Sequence, residues 1–187
     1  MTATTLDPKT ALVVVDLQKG IAGYPTVHPM ADVLRNAAAL LDAFRAKSLP
    51  VVLVHALGVA PGRAEQQRPR GAFAADFAEF LPELRQQPSD HVVAKHTWGA
   101  FTNTDLEAWL KSQGATQVVV IGVATSAGVE STARFAHELG FNVALAVDAM
   151  TDTSADAHAN SVARIFPRIG ETATTAEIVA LLHGAQA

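Results

Sequence analysis

Short, unbroken apolar runs alternate along this chain with longer stretches in which apolar residues return every three or four positions. The runs cover 11–16, 51–57, 91–95, 117–122 and 142–147, with a weaker one at 165–170. Rich in valine and isoleucine and free of polar alternation, they predict strands buried on both faces of a parallel sheet. The amphipathic stretches, 30–47, 103–113, 126–139, 156–165 and 176–182, predict helices. Punctuation supports their ends. Leu49-Pro50 follows the first, Gly114 the second and Gly140 the third, and Thr175 is placed to cap the last.

Strand–helix alternation implies repeated right-handed βαβ units. The expected fold is therefore a doubly wound α/β three-layer sandwich, one domain over 1–187, with a six-stranded parallel sheet. The common strand order for such sheets is 3-2-1-4-5-6, which puts a ligand crevice between strands one and four at their carboxyl ends. The segment 58–85 breaks the rhythm. It holds Pro61, Gly62, Pro69, Gly71 and Pro82 around a short candidate helix at 72–80. An insertion of this kind after strand two reads as a lid or a partner-facing excursion.

Composition removes several function classes. The net charge is −4 and no basic run occurs, so the footprint of a nucleic-acid binder is missing. No apolar stretch approaches the roughly 20 residues that span a bilayer, and MTATTLDPKT has no apolar signal core. The chain has no cysteine, which excludes disulfides and thiolate metal sites and fits a cytoplasmic setting. Seven histidines are scattered without HxH or HExxH spacing, and GVATSAG does not match the dinucleotide fingerprint. No metal and no cofactor are expected.

Chemistry concentrates at strand ends. Asp16 closes ALVVVD and Lys95 closes HVVAK, while VVVIGVATSAGVESTARF runs from a strand through a tight turn into a helix. Such an elbow aims backbone N–H groups and a helix dipole at one point. Gly128 sits where the turn becomes helix and offers no side chain. Asp16 and the elbow would face each other across the crevice. Lys95, on strand three, stands two strand spacings (roughly 10 Å) from strand one and must reach inward to join them.

Three segments in order, VVVDLQKG, HVVAKHTWGAF and GVATSAGVESTARFAHELGFNVALAVDAM, resemble the isochorismatase-like hydrolases, a family that includes nicotinamidases, N-carbamoylsarcosine amidohydrolases and isochorismatases. The resemblance spans nearly the whole chain and implies that family's Rossmann-type fold. It marks Asp16 and Lys95 as polar members of the site. Gln18, His55, Trp98, Phe101, Val123, Ala124 and Thr125 become candidate substrate contacts. It also implies a cis peptide at Val123–Ala124 and a homo-oligomer, dimer or tetramer. Most of the family carries a nucleophilic cysteine at the position matching Gly128, completing an Asp–Lys–Cys triad. Isochorismatases proper resemble this chain in lacking it, and there the aspartate is thought to protonate a vinyl ether.

Without a thiol, Asp16 is left as a general acid or base. A Lys95 ammonium would lower its pKa and burial would raise it. Lys95 would fix that charge state or hold a substrate oxygen. Gly128 would leave space for substrate or water, or simply relieve crowding. Each remaining residue has a plain structural reading too: Lys95 as a snorkelling lysine, Trp98 and Phe101 as core, His55 and Gln18 as hydrogen-bonded loop supports. A dicarboxylate substrate would call on cations, with Arg63, Arg68 and Arg70 in the excursion as candidates. Two rivals stand beside the acid–base enzyme. One is a Ser126–Asp148–His158 hydrolase, suggested by ATSAG and the residue order. The other is a small-molecule-binding member that no longer turns over.

Overall fold

The computed structural model describes residues 3–60, 62–65 and 73–184. Its strands are β1 (Thr10–Val15), β2 (Val51–Ala56), β3 (His91–Lys95), β4 (Gln117–Val123), β5 (Asn142–Thr151) and β6 (Glu171–Ala173). They form one parallel sheet, as the alternating pattern predicts, in the expected common order β3-β2-β1-β4-β5-β6. The helices are α1 (Lys19–Ala22), α2 (Met30–Ala46), α3 (Leu106–Ser112), α4 (Glu130–Glu138), α5 (Ala155–Asn160), α6 (Phe166–Ile169) and α7 (Thr175–Gly184). Wide π-type turns at Thr125–Val129 and Ser161–Ile165 lead into α4 and α6. Among the described residues no helix is long and apolar enough to cross a membrane.

Because side chains alternate along a strand, the central valine runs feed two separate cores. Leu12, Val14, Leu53 and Ile121 pack with Leu40, Leu41 and Phe44 of α2 and with Ile178 and Leu182 of α7. Val13, Val15, Val54, Val118 and Val120 face the other way, onto Leu106 and Leu110 of α3, Ala133 and Ala136 of α4, and Phe166 of α6. Burying both faces is what makes the strands read as continuous apolar runs.

Three local expectations are overturned. The stretch 165–170 is not a strand. Ile165, Phe166 and Ile169 lie on one helical face, Pro167 fits the first turn of α6, and the sixth strand is the three-residue Glu171–Ala173. Thr175 is not the cap of α7. Thr174 takes that place: Glu177 Oε2 accepts from Thr174 N at 2.7 Å, and Thr174 Oγ1 accepts from Glu177 N at 3.3 Å, a reciprocal capping box. The described part of the 72–80 candidate helix, from Phe73 on, forms turns instead. Its internal bonds are the turn bonds Phe77 N to Ala74 O and Glu79 N to Asp76 O, and it is also held from outside, Lys19 N donating to Glu79 O and Gly20 N to Phe77 O. Ala72 and the candidates Arg68 and Arg70 fall outside the described residues.

β5 is longer than its apolar run suggested. Its register against β4 jumps between Val120↔Leu145 and Gly122↔Met150, so β5 bulges and then resumes beside Val123 as far as Thr151. Gly122, at φ +120°, is required at this point: a Cβ there would lie 2.0 Å from the Val15 carbonyl oxygen.

Candidate active site

Asp16 is the first residue past β1. Its backbone takes φ +54°, the left-handed region that aspartate tolerates better than most residues. The turn is fixed on both sides, Asp16 N donating to Val54 O and Gln18 N to Asp16 O, each at 2.9 Å. The carboxylate is thereby directed into the sheet's end rather than out to solvent, and Asp16 is 6% exposed.

Lys95 ends β3 on the face of Val93 and is 2% exposed. Its stem covers the two-strand gap, and Nζ donates to Asp16 Oδ2 at 2.7 Å. The other two ammonium hydrogens go to Thr97 O at 3.0 Å and Trp98 O at 2.9 Å. An ammonium has three donors, and all three are used. Lys95 therefore has no hydrogen left for a substrate oxygen, and that part of the expected role falls away.

Asp16 Oδ1 is the opposite case. Among the described residues it is the buried side-chain polar atom with no hydrogen-bond partner. Burial pushes the Asp16 carboxyl above its ordinary value. The attraction and hydrogen bond of Lys95, and more weakly the field of His55, pull it down without cancelling that rise. One oxygen is thus committed to a lysine and the other is free to carry a proton.

The elbow meets this carboxylate. Val123–Ala124 is a cis peptide. The turn that follows brings Gly128 so close that an added Cβ would stand 3.0 Å from Val15 Cγ1, 3.2 Å from Asp16 Oδ2 and 3.2 Å from Val123 O. Position 128 is therefore not an open space waiting for a ligand. The missing side chain lets the turn pack directly against β1, which is the crowding explanation. Ala127 N and Val129 N both donate to Ala124 O, and Ser126 N donates to Asp152 Oδ2. Any oxyanion contact from this turn falls to its other amides.

Several candidate substrate contacts are spent elsewhere. Gln18 is fully buried and holds β2 and the excursion together: Nε2 donates to Ala56 O and Phe77 O, and Oε1 accepts from Ala56 N. His55 Nδ1 lies 2.7 Å from Ala78 O and its ring stacks on Phe80. It borders an open groove of about 500 Å³ with Glu79, Arg85 and Val92, under the excursion rather than at the carboxylate. Phe101 is a core residue beside Phe141, not a crevice wall. Trp98 is 55% exposed, and its backbone carbonyl is the group that reaches Lys95. Arg63 is exposed. Val123 and Thr125 are buried and Ala124 partly so, at the elbow itself.

The Ser126–Asp148–His158 arrangement does not form. Ser126 Oγ donates to Asp152 Oδ2 at 2.7 Å, Asp148 Oδ1 accepts from Thr175 N and Oγ1 at the start of α7, and His158 Nδ1 lies 2.9 Å from Thr125 Oγ1. Sequence reasoning missed Asp152, 3% exposed, which ties down the start of the elbow. Its one local signal is the Asp-x-Ser spacing to Ser154, whose N–H reaches Asp152 Oδ1.

Comparison with known proteins places the chain in a family. An isochorismatase domain is matched over residues 10–177. The chain belongs to the isochorismatase family. It is 42% identical to the uncharacterized isochorismatase family protein YecD of Escherichia coli over 91% of this chain and 94% of that one. It is 39% identical to the uncharacterized family protein YwoC of Bacillus subtilis, over 91% and 93% of the two chains. An isochorismatase family protein from Burkholderia thailandensis superposes with a TM-score of 0.92 at 41% identity, covering 96% of this chain and 98% of the other. As a family member the chain is an isochorismatase-type hydrolase of the α/β class.

Proposed function

We propose that this hydrolase acts on a small molecule by proton transfer from Asp16, with no covalent enzyme intermediate. The observation that carries the reading is the unpartnered, buried Oδ1 of a carboxyl whose pKa burial has raised. A carboxyl in that state favours the acid role over the base role. Gly128 stands where the family resemblance puts a nucleophilic cysteine, and no cysteine exists anywhere in the chain to replace it.

The reaction that suits a lone buried acid is hydrolysis of an isochorismate-type vinyl ether. Asp16 Oδ1–H passes its proton to the terminal alkene carbon. The ether oxygen's lone pair stabilises the oxocarbenium at the carbon that bears it, and water adds to that ether-bearing carbon. The resulting hemiketal passes its hydroxyl proton to the departing ether oxygen, which leaves as the alcohol while the ketone forms. Asp16 regains its proton from the attacking water. Lys95, tied to Oδ2, limits how far the pKa rises and keeps the proton on the oxygen that faces the substrate.

The test is a substrate panel of vinyl ethers, small esters and amides, with isochorismate among them, run against the parent and Asp16→Asn. Turnover of an enol ether that disappears in Asp16→Asn supports the proposal. Turnover that survives the substitution overturns it. One observation favours a second reading, a member that binds without turning over: Oδ1 is wholly shielded from solvent as the chain stands. Saturable binding of a panel compound, with no product from any of them, would establish that alternative.

A further inference from the structure

The contacts around Asp16 close into a ring, and one hydroxyl joins its two halves. On one side Lys95 Nζ donates to Asp16 Oδ2 at 2.7 Å and is itself held by the carbonyls of Thr97 and Trp98. On the other side the elbow seats Gly128 so that an added Cβ would stand 3.2 Å from the same oxygen. The loop 97–100 and the elbow are distant in sequence, yet Thr132 of α4 bonds to both. Its Oγ1 donates to Gly128 O at 2.7 Å and accepts from Ala100 N at 3.1 Å. A hydroxyl has a single hydrogen, so these two bonds fix its orientation. Thr132 and Ala100 are fully buried, and neither bond has solvent as a ready substitute.

A threonine inside a helix often bonds back to the carbonyl four residues earlier, and the Gly128 contact taken alone is of that local kind. The Ala100 contact is not local, since it crosses 32 positions. Thr97 Oγ1 donates to Gly99 O and Thr104 Oγ1 to Ala100 O, bonds that stay on the loop's own side. Burial of Ala100 and Phe101 keeps the loop in the core, but apolar burial has no direction. We infer that Thr132 is a positioning residue that fixes the Lys95-holding loop against the elbow and so keeps the ammonium on Asp16 Oδ2. Without the hydroxyl, Ala100 N loses its acceptor, the Thr97 and Trp98 carbonyls gain freedom, and Lys95 sits less firmly on the carboxylate. The charges acting on Asp16 come from Lys95 on β3 and His55 on β2, both lowering its pKa against burial. The elbow turn brings no charged side chain. A weakened Lys95 contact therefore lets the Asp16 midpoint climb, and a carboxyl that holds its proton more tightly is a poorer donor. The inference rests on the Asp16 reading and names what sets the strength of that acid.

The test reads the carboxyl directly. Aspartate labelled with ¹³C at the side-chain carboxyl is followed by NMR against pH, the Asp16 resonance being the one missing from Asp16→Asn. In Thr132→Val and Thr132→Ala, paired in case one does not fold, the midpoint should rise by about one pH unit. Thr132→Ser keeps the hydroxyl and should titrate with the parent. In a Lys95→Met background the same substitutions should add nothing, because their effect passes through Lys95. Thr104→Val removes a hydrogen bond from the same loop without touching the elbow, and should leave the midpoint in place. The inference is overturned by a midpoint that stays put without the Thr132 hydroxyl, by an equal rise in Thr132→Ser or Thr104→Val, or by a rise that survives in Lys95→Met. The titration needs no substrate, so turnover that persists in Asp16→Asn would remove the acid mechanism and leave this result standing.

Discussion

Two aspartates are buried at the carboxyl end of this sheet, Asp16 at 6% exposure and Asp152 at 3%, and their surroundings assign them opposite work. Both Asp152 oxygens are occupied: Oδ2 by Ser126 N and Oγ, Oδ1 by Ser154 N. A carboxylate so satisfied holds a turn and has nothing left for chemistry. Asp16 has one oxygen on Lys95 and one on nothing. An orphaned acceptor in a buried site costs stability, and sites of function are where folds tolerate that cost. Burial alone does not identify a reactive group; an unmet hydrogen-bonding capacity does.

The largest expected effect breaks the pair apart in activity. Asp16→Asn keeps the shape, removes the transferable proton, and should lower kcat/KM by about 10²–10⁴-fold, with the far-UV circular dichroism unchanged. Asp152→Asn should leave the rate constant of the folded enzyme within a fewfold of the parent. Equal losses from both substitutions in folded protein would erase the distinction between the two carboxylates.

Stability should reverse the ranking. Asp152→Ala strands the Ser126 amide and hydroxyl and should cost about 1–3 kcal/mol. For a domain of this size each kcal/mol lowers the Tm by about 2–4 °C, which differential scanning calorimetry resolves. A variant melting with the parent would mean that the elbow is held by its other contacts alone.

How much of this was readable beforehand follows from how local each feature is. The valine runs announce a two-faced parallel sheet because burial of both faces is written residue by residue. Asp16 and Lys95 are visible as polar closures of such runs. That Lys95 would spend all three donors is not visible, because two of its acceptors are the backbone carbonyls of Thr97 and Trp98. Asp152 was missed because it reaches Ser126 only through the register jump in β5, which no periodicity encodes. His158 and Thr125 meet across 33 positions. The run at 165–170 misled because Ile165, Phe166 and Ile169 suit a strand and one helical face equally until Pro167 is given its place at a helix start.

A smaller effect tests the contact that brings elbow and acid together. Gly128→Ala adds a Cβ between Val15, Asp16 Oδ2 and the Val123 carbonyl, all at 3.0–3.2 Å. Overpacking of this kind costs about 1–3 kcal/mol, and some relaxation of the Val15 side chain should keep it near the lower end. Chemical denaturation reports it. A neutral or stabilising result would show the turn to be looser than its contacts imply and would restore the idea of room above Gly128.

The smallest effect is a slope. The folded Asp16 carboxyl holds its proton above the ordinary value of 3.8, so below that pH folded and unfolded chains are both protonated there and the group contributes nothing that varies. As pH rises past 3.8 the unfolded chain ionises while the folded chain keeps its proton. Stability then falls until the folded carboxyl ionises too, by less than about 1.4 kcal/mol per pH unit. Denaturant melts of the parent and Asp16→Asn at a series of pH values should therefore show the variant gaining on the parent as pH rises from 4 toward neutrality. If the parent gains on the variant instead, the Lys95 attraction outweighs burial, the carboxyl is an anion at rest, and Asp16 is better suited to take a proton than to give one.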